Sequence, residues 1–272
     1  MPLRSDLVGA TLPTVELDVS PRMALAFAAA ISDERPGAAE DEQPGFAASP
    51  FYCASLEWQA IIAGRDQLLG LSPEEAVRAV HAGQDSRFLA PLHPGTRVRV
   101  AGQVVAIRAT GAGALTLTQL DVTDAGGRAI SSTLSAGLYR GVEVVGPARA
   151  LIEPPAREPQ LEDDATGAPD ERPIALDRWF AHRYTECASI WNPIHTERRV
   201  ALAAGLPNII VHGTALWALA GRTVTASRPG RRLTRLGGTF SAMVEPGSTI
   251  TVRHAPSASD LDVVRFEILN AA

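Results

Sequence analysis

One histidine in this chain stands in a setting suited to proton transfer. His195 closes the run Tyr184-Thr-Glu-Cys-Ala-Ser-Ile-Trp-Asn-Pro-Ile-His195, and a second histidine opens His212-Gly213-Thr214 shortly afterwards. An imidazole changes charge near neutral pH and can take a proton from water and give it back. Ser189 and Asn192, just before it, have side chains that could place that water or order the loop. Gly213 offers a different chemistry, because a backbone N–H at a helix amino end can hold a carbonyl oxygen as it gains negative charge. His212 reads as the residue that fixes that helix start. Tyr184, Ile190, Trp191 and Thr214 complete the expected lining of a substrate site.

These groups need elements that bring them together. Tyr184 to Ala188 is expected to be extended, with the Asn192-Pro193 pair breaking the strand. Pro193, with its fixed φ, suits a first helical position, which would set His195 one turn inside a helix. Val200, Ala203 and Ala204 continue at helical spacing until Gly205 and Pro207 stop the run. A second apolar helix is expected from His212-Gly213-Thr214 through Leu216, Trp217, Leu219 and Ala220.

At these residues the sequence resembles the MaoC-like hydratases and dehydratases. The family pattern of Asn-Pro-aliphatic-His, then Gly, Pro and aliphatic-aliphatic-His-Gly, is met here by Asn192-Pro193-Ile194-His195, Gly205, Pro207 and Ile210-Val211-His212-Gly213. The resemblance implies an α+β double hot-dog fold, two long helices each wrapped by a curved antiparallel sheet. It also implies reversible addition of water to a 2-enoyl thioester of coenzyme A or acyl carrier protein, with no cofactor and no metal. In that family an Asp and the His hold the water between them. Ile190 occupies the Asp position, so half of the acid–base pair is missing from the motif. A thioesterase on the same scaffold, or an acyl-binding subunit without turnover, are the alternatives.

Composition narrows the field. Of the 272 residues 46% are hydrophobic, enough for a large core, and the net charge of −5 with a pI near 5.7 argues against general nucleic-acid binding. All 25 basic residues are Arg, whose planar fork suits phosphate groups. Arg198, Arg199 and the run from Arg228 to Arg235 are candidates to meet coenzyme A, although such runs are more often solvated. Cys53 and Cys187 are too few for a disulfide framework and lack metal-ligand spacing. Cys187 reads as a small buried residue and Glu186 as a solvated one. No long apolar stretch suggests a signal peptide or membrane span, so a cytoplasmic protein is expected.

Two domains are expected, 1–150 and 174–272, joined by an acidic, Pro-rich linker over 151–173. Strands are expected at Thr14–Val19, Arg97–Arg108, Leu115–Val122 and Ala129–Tyr139, with Gly126-Gly127 as a hairpin turn and a helix at Leu56–Leu69, while Ala24–Ile31 is an Ala-rich apolar segment. The halves look like a repeat. Phe88 precedes Pro94-Gly95 as Phe240 precedes Pro246-Gly247, and Phe27 precedes Pro36 as Tyr184 precedes Pro193. This register sets Asp33 against Ile190 and Ala38 against His195, so neither half holds a full acid–base pair. The first half is expected to shape the acyl tunnel. The second half is expected to stop one strand early, leaving an edge that a homodimer partner could cover.

Overall fold

The computed structural model describes residues 2–152 and 158–270. After a two-residue strand at Leu3–Arg4, which pairs with Val144–Val145, the first half runs into strand β1 (Val15–Asp18) and helix α1 (Pro21–Ala30), which Ser20 caps by accepting a bond from the Met23 N–H. The long helix α2 (Cys53–Leu68) follows, then four long strands: β2 (Ala79–Phe88), β3 (Arg97–Thr110), β4 (Gly113–Asp124) and β5 (Ala129–Arg140). They pair antiparallel in the order β2-β5-β4-β3-β1. Gly127 has φ +82°, which the tight turn between β4 and β5 requires.

The second half repeats this plan. Strand β6 (Asp170–Ala175), helix α3 (Phe180–Ala188), a 3-10 turn (Pro193–His195) and helix α4 (Arg198–Ala203) lead to the long helix α5 (Gly213–Ala226). Strands β7 (Arg235–Thr239), β8 (Thr249–Pro256) and β9 (Val264–Asn270) complete it. β6, β8 and β9 form a three-stranded sheet, while β7 leaves it to pair antiparallel with β2 of the first half. In the first half β5 separates β4 from β2; among the described residues no strand stands between β9 and β7.

Both long helices lie in one continuous core. Phe51 meets Trp217 of α5 edge to face at 5.5 Å, and Tyr52 meets Phe27 at 5.4 Å. Gly221 marks the closest approach, since a Cβ there would come within 2.6 Å of Leu236 Cδ2 and run into the Phe51 ring. No described helix is long and apolar enough to cross a membrane.

Two expectations are corrected here. Tyr184 to Ala188 is helical, the last turn of α3, closed by Ser189 in the left-handed conformation with φ 54°. Tyr184, Thr185 and Ala188 all face the core from that helix, an i, i+1, i+4 pattern that two-residue alternation cannot produce. The expected linker is also too long at its far end, because 170–175 is already β6, hydrogen-bonded along β8. Extended backbone pairing carries that acidic segment without burying much of it. Residues 153–157 of that linker lie outside the described residues.

Candidate functional site

The site forms where β7 joins β2. β2 carries a bulge between His81 and Gly83, so Ala82 is an extra residue in its pairing with β5. Such an insertion shifts the alternation of side chains. His81 and Gln84, an odd number of residues apart, therefore both line one cavity. The bulge also ties the halves together, since the Ala82 carbonyl accepts the Phe240 N–H at 2.9 Å and the Phe240 ring packs on His81 with centroids 4.9 Å apart.

His195 enters this cavity from the second half at the end of its 3-10 turn, not one turn inside α4 as expected. The turn starts at Pro193, whose ring suits the position, and Asn192 caps it by accepting the Ile194 N–H at 3.4 Å. Nδ1 of His195 lies 2.8 Å from the Ile210 carbonyl. A carbonyl only accepts, so Nδ1 carries the proton and Nε2 is left as the basic nitrogen. Burial is the main influence on this ring and lowers its pKa to about 4, so it is neutral at pH 7.

His212 stacks on His195 at 3.7 Å. Its Nε2 points at the Ile190 carbonyl, 3.3 Å away, and at Thr185 Oγ1, 3.1 Å away, which itself donates to the Ala181 carbonyl. Nε2 is therefore the protonated nitrogen. Burial first, and the neighbouring His195 next, hold its pKa well below the usual value. Two stacked imidazoles stay neutral together because a charge on one opposes a charge on the other.

Gly213 begins α5, with His212 in the cap position. The edge of the Phe240 ring stands 3.1 Å from where its Cβ would be, so a side chain here would crowd that ring. The cavity has a volume of about 300 Å³ and is lined from the second half by Ile190, Asn192, His195, His212, Gly213 and Thr214.

Three expected residues are not among its lining residues. Ser189 closes α3, and its carbonyl accepts from Gln59 of the first half. Tyr184 is fully buried behind His212, with ring centroids 5.0 Å apart, and so props the histidine from the core side. Trp191 is 56% exposed and lines a separate outer hollow with His182 and Glu186. The arginine candidates also lie elsewhere: Arg199 faces Glu197, Arg231 faces Asp262, and Arg235 bonds Asp85. Asp33 is held by Arg35 in its own loop.

The first half contributes residues that no motif in the sequence singles out. His81, Gln84 and Ser135 line the cavity, as does one face of α2 carrying Ala54, Glu57, Trp58 and Ile61. Glu57, only 1% exposed, accepts from Thr133 Oγ1 at 2.6 Å and from Gln84 Nε2 at 3.4 Å. Its one sequence-level signal is a carboxyl set between the apolar neighbours Leu56 and Trp58 inside a helix. Among the described residues no cluster of potential metal ligands occurs.

Known proteins share this fold. A family model described as "MaoC like domain" matches residues 164–262. The chain is 28% identical over 179 residues, 63% of its own length, to the 3-hydroxyacyl-thioester dehydratase Y of Mycobacterium tuberculosis, of which the match spans 60%. The crystal structure of a MaoC-like dehydratase from Phytophthora capsici superposes with a TM-score of 0.79 at 20% identity, over 98% of this chain and 92% of that one. A Mycobacterium tuberculosis protein described as having a double hot-dog fold superposes with a TM-score of 0.63 at 15% identity, over 97% and 90%. The fold is thus an α+β double hot-dog, and residues 164–262 match the model of a MaoC-like domain.

Proposed function

We propose that this protein is a hydro-lyase that adds water reversibly to a 2-enoyl thioester of coenzyme A or acyl carrier protein, with a site modified at Ile190. The observation that carries this reading is the state of His195. Its Nδ1–H is spent on the Ile210 carbonyl, and its basic Nε2 shares the cavity with Gly213 at the amino end of α5. Nε2 takes a proton from water while the water oxygen bonds to the β-carbon. The electron pair of the alkene moves to the thioester oxygen, where the Gly213 N–H meets the developing charge. His195 then returns the proton to the α-carbon, and atoms and charge balance without a second acid. Ile190 supplies only shape, and Asn192 and Thr214 border the reacting end.

The kinship with a 3-hydroxyacyl-thioester dehydratase supports the same reaction class, and a cytoplasmic setting belongs to this reading. The test follows the loss of enoyl absorbance with crotonyl- and octenoyl-CoA while free thiol is monitored in parallel. Loss of the alkene without thiol release is expected. Thiol release would replace this reading with a thioesterase, and silence in both channels would leave an acyl-binding role.

A further inference from the structure

The cavity holds a histidine that the mechanism above leaves idle. His81 comes from the first half, just before the bulge at Ala82, yet contacts link it to His195 around one end of the cavity. His195 stacks on His212 at 3.7 Å, Gly213 follows in the chain, and the edge of the Phe240 ring stands 3.1 Å from where a Gly213 Cβ would be. That ring packs on His81 with centroids 4.9 Å apart. His81 and His195 are each only partly buried, and both line the cavity.

Ser135 of β5 lines the same cavity, with its Oγ 3.4 Å from Nε2 of His81. That is long for an O–H···N bond, and among the described residues it is the one partner of this hydroxyl. Burial is the largest influence on the His81 ring and lowers its pKa to about 4; the Gly83 backbone raises it, as a carbonyl accepting a ring N–H does, and His195 lowers it again. With Nε2 beside Ser135, the N–H turned to Gly83 is Nδ1. His81 is therefore neutral at pH 7, and its Nε2 is a bare acceptor.

Addition of water needs more than a base. The molecule carries two hydrogens, and Nε2 of His195 takes only one. With the other unheld, the water would swing about a single bond and its oxygen would miss the β-carbon. The second half has little to hold it with. Ile190 has no polar side-chain atom, and Asn192 Oδ1 accepts the Ile194 N–H. Nδ1 of His212 and Oγ1 of Thr214 are enclosed, out of reach of a water.

We infer that His81 completes the site from the first half: the attacking water donates one hydrogen to Nε2 of His195 and the other to Nε2 of His81, and accepts from the Ser135 hydroxyl. The inference rests on the hydro-lyase reading given above. Three partners suffice to hold an internal water, and the remaining lone pair is free to attack. The wide gap between Ser135 and His81 suits two groups that share a water rather than satisfy each other. As His195 takes the first proton the oxygen bonds to the β-carbon, and the second hydrogen stays on it as the product hydroxyl. His81 neither gains nor loses a proton, so the balance of the reaction is unchanged.

The experiment compares kcat and KM for octenoyl-CoA in His81→Phe, His81→Gln and Ser135→Ala. His81→Phe keeps a ring against Phe240 and removes the acceptor, so kcat should fall about tenfold to a hundredfold while KM stays within about threefold, because water and not substrate loses its hold. His81→Gln offers a carbonyl oxygen in place of Nε2 and should regain most of that loss. Ser135→Ala, which serves should the ring variant fold poorly, should lower kcat about threefold to tenfold with KM again unchanged. Equal losses in His81→Gln and His81→Phe would mean that only the shape of the ring matters, and would overturn the inference. A rise in KM with kcat kept, or an unchanged kcat in both His81→Phe and Ser135→Ala, would also overturn it, while hydration by the wild type leaves the hydro-lyase reading standing. No alkene loss with the wild type would overturn both together.

Discussion

The two long helices hold equivalent places and carry opposite contents. α5 buries Leu216, Trp217, Leu219 and Val224 in the common core, and the Trp217 indole N–H is satisfied by the Leu236 carbonyl at 3.3 Å. It is an apolar strut that meets the cavity only at its amino end, through Gly213, Thr214 and Leu216. α2 instead sends Glu57 toward a row of buried hydroxyls and amides. Both halves line the cavity, the one with the five-stranded sheet adding the buried polar row and the one with fewer described strands adding His195. The buried polar row and His195 thus come from different halves of one continuous core.

His195→Ala tests this division most severely. Loss of a general base costs about 10²–10⁴ in rate, and kcat/KM for octenoyl-CoA should fall by that order while the melting temperature stays within a few degrees. An unchanged rate would move the chemistry away from the second half.

Gly221→Ala probes the seam between the halves. The added methyl overlaps the Phe51 ring and Leu236, and overpacking of this kind costs about 1–3 kcal/mol. Denaturant unfolding should show that loss with one cooperative transition. Two separated transitions would mean that the halves fold as independent units.

Acidity should act on the two groups in opposite senses. His81 and His195 are held near about 4 by burial, below an unfolded value of 6.5. Their contribution to stability is therefore full above pH 6.5 and is lost as pH falls through about 4. Glu57 is raised from 4.5 to about 7, so its contribution is full below pH 4.5 and is lost as pH rises through about 7. The melting temperature of Glu57→Gln, measured from pH 5 to pH 8, should gain on the wild type as pH rises. A constant difference would mean that Glu57 ionises as freely as in the unfolded chain.

The smallest effect is expected at Trp191. It is exposed and outside the cavity, so Trp191→Ala should change kcat/KM less than threefold, as assayed with octenoyl-CoA. A large loss would place the outer hollow in the binding path.

Local pattern determined a good deal of this molecule. Pro193 after Asn192, Gly205 with Pro207, and the apolar run from Leu216 place the turn and both flanking helices, because each is a preference of a few adjacent residues. His195 and Gly213 are legible for the same reason. Tyr184 to Ala188 misled, since five residues can be read at either period and only packing against α1 and the core decides. The convergence of Glu57, His81 and Gln84 with His195 was decided by tertiary structure alone. It depends on β7 crossing to β2, on a one-residue bulge at Ala82, and on the pairing of β2 with β5. These are contacts between distant residues, whose geometry no nearby run of sequence encodes.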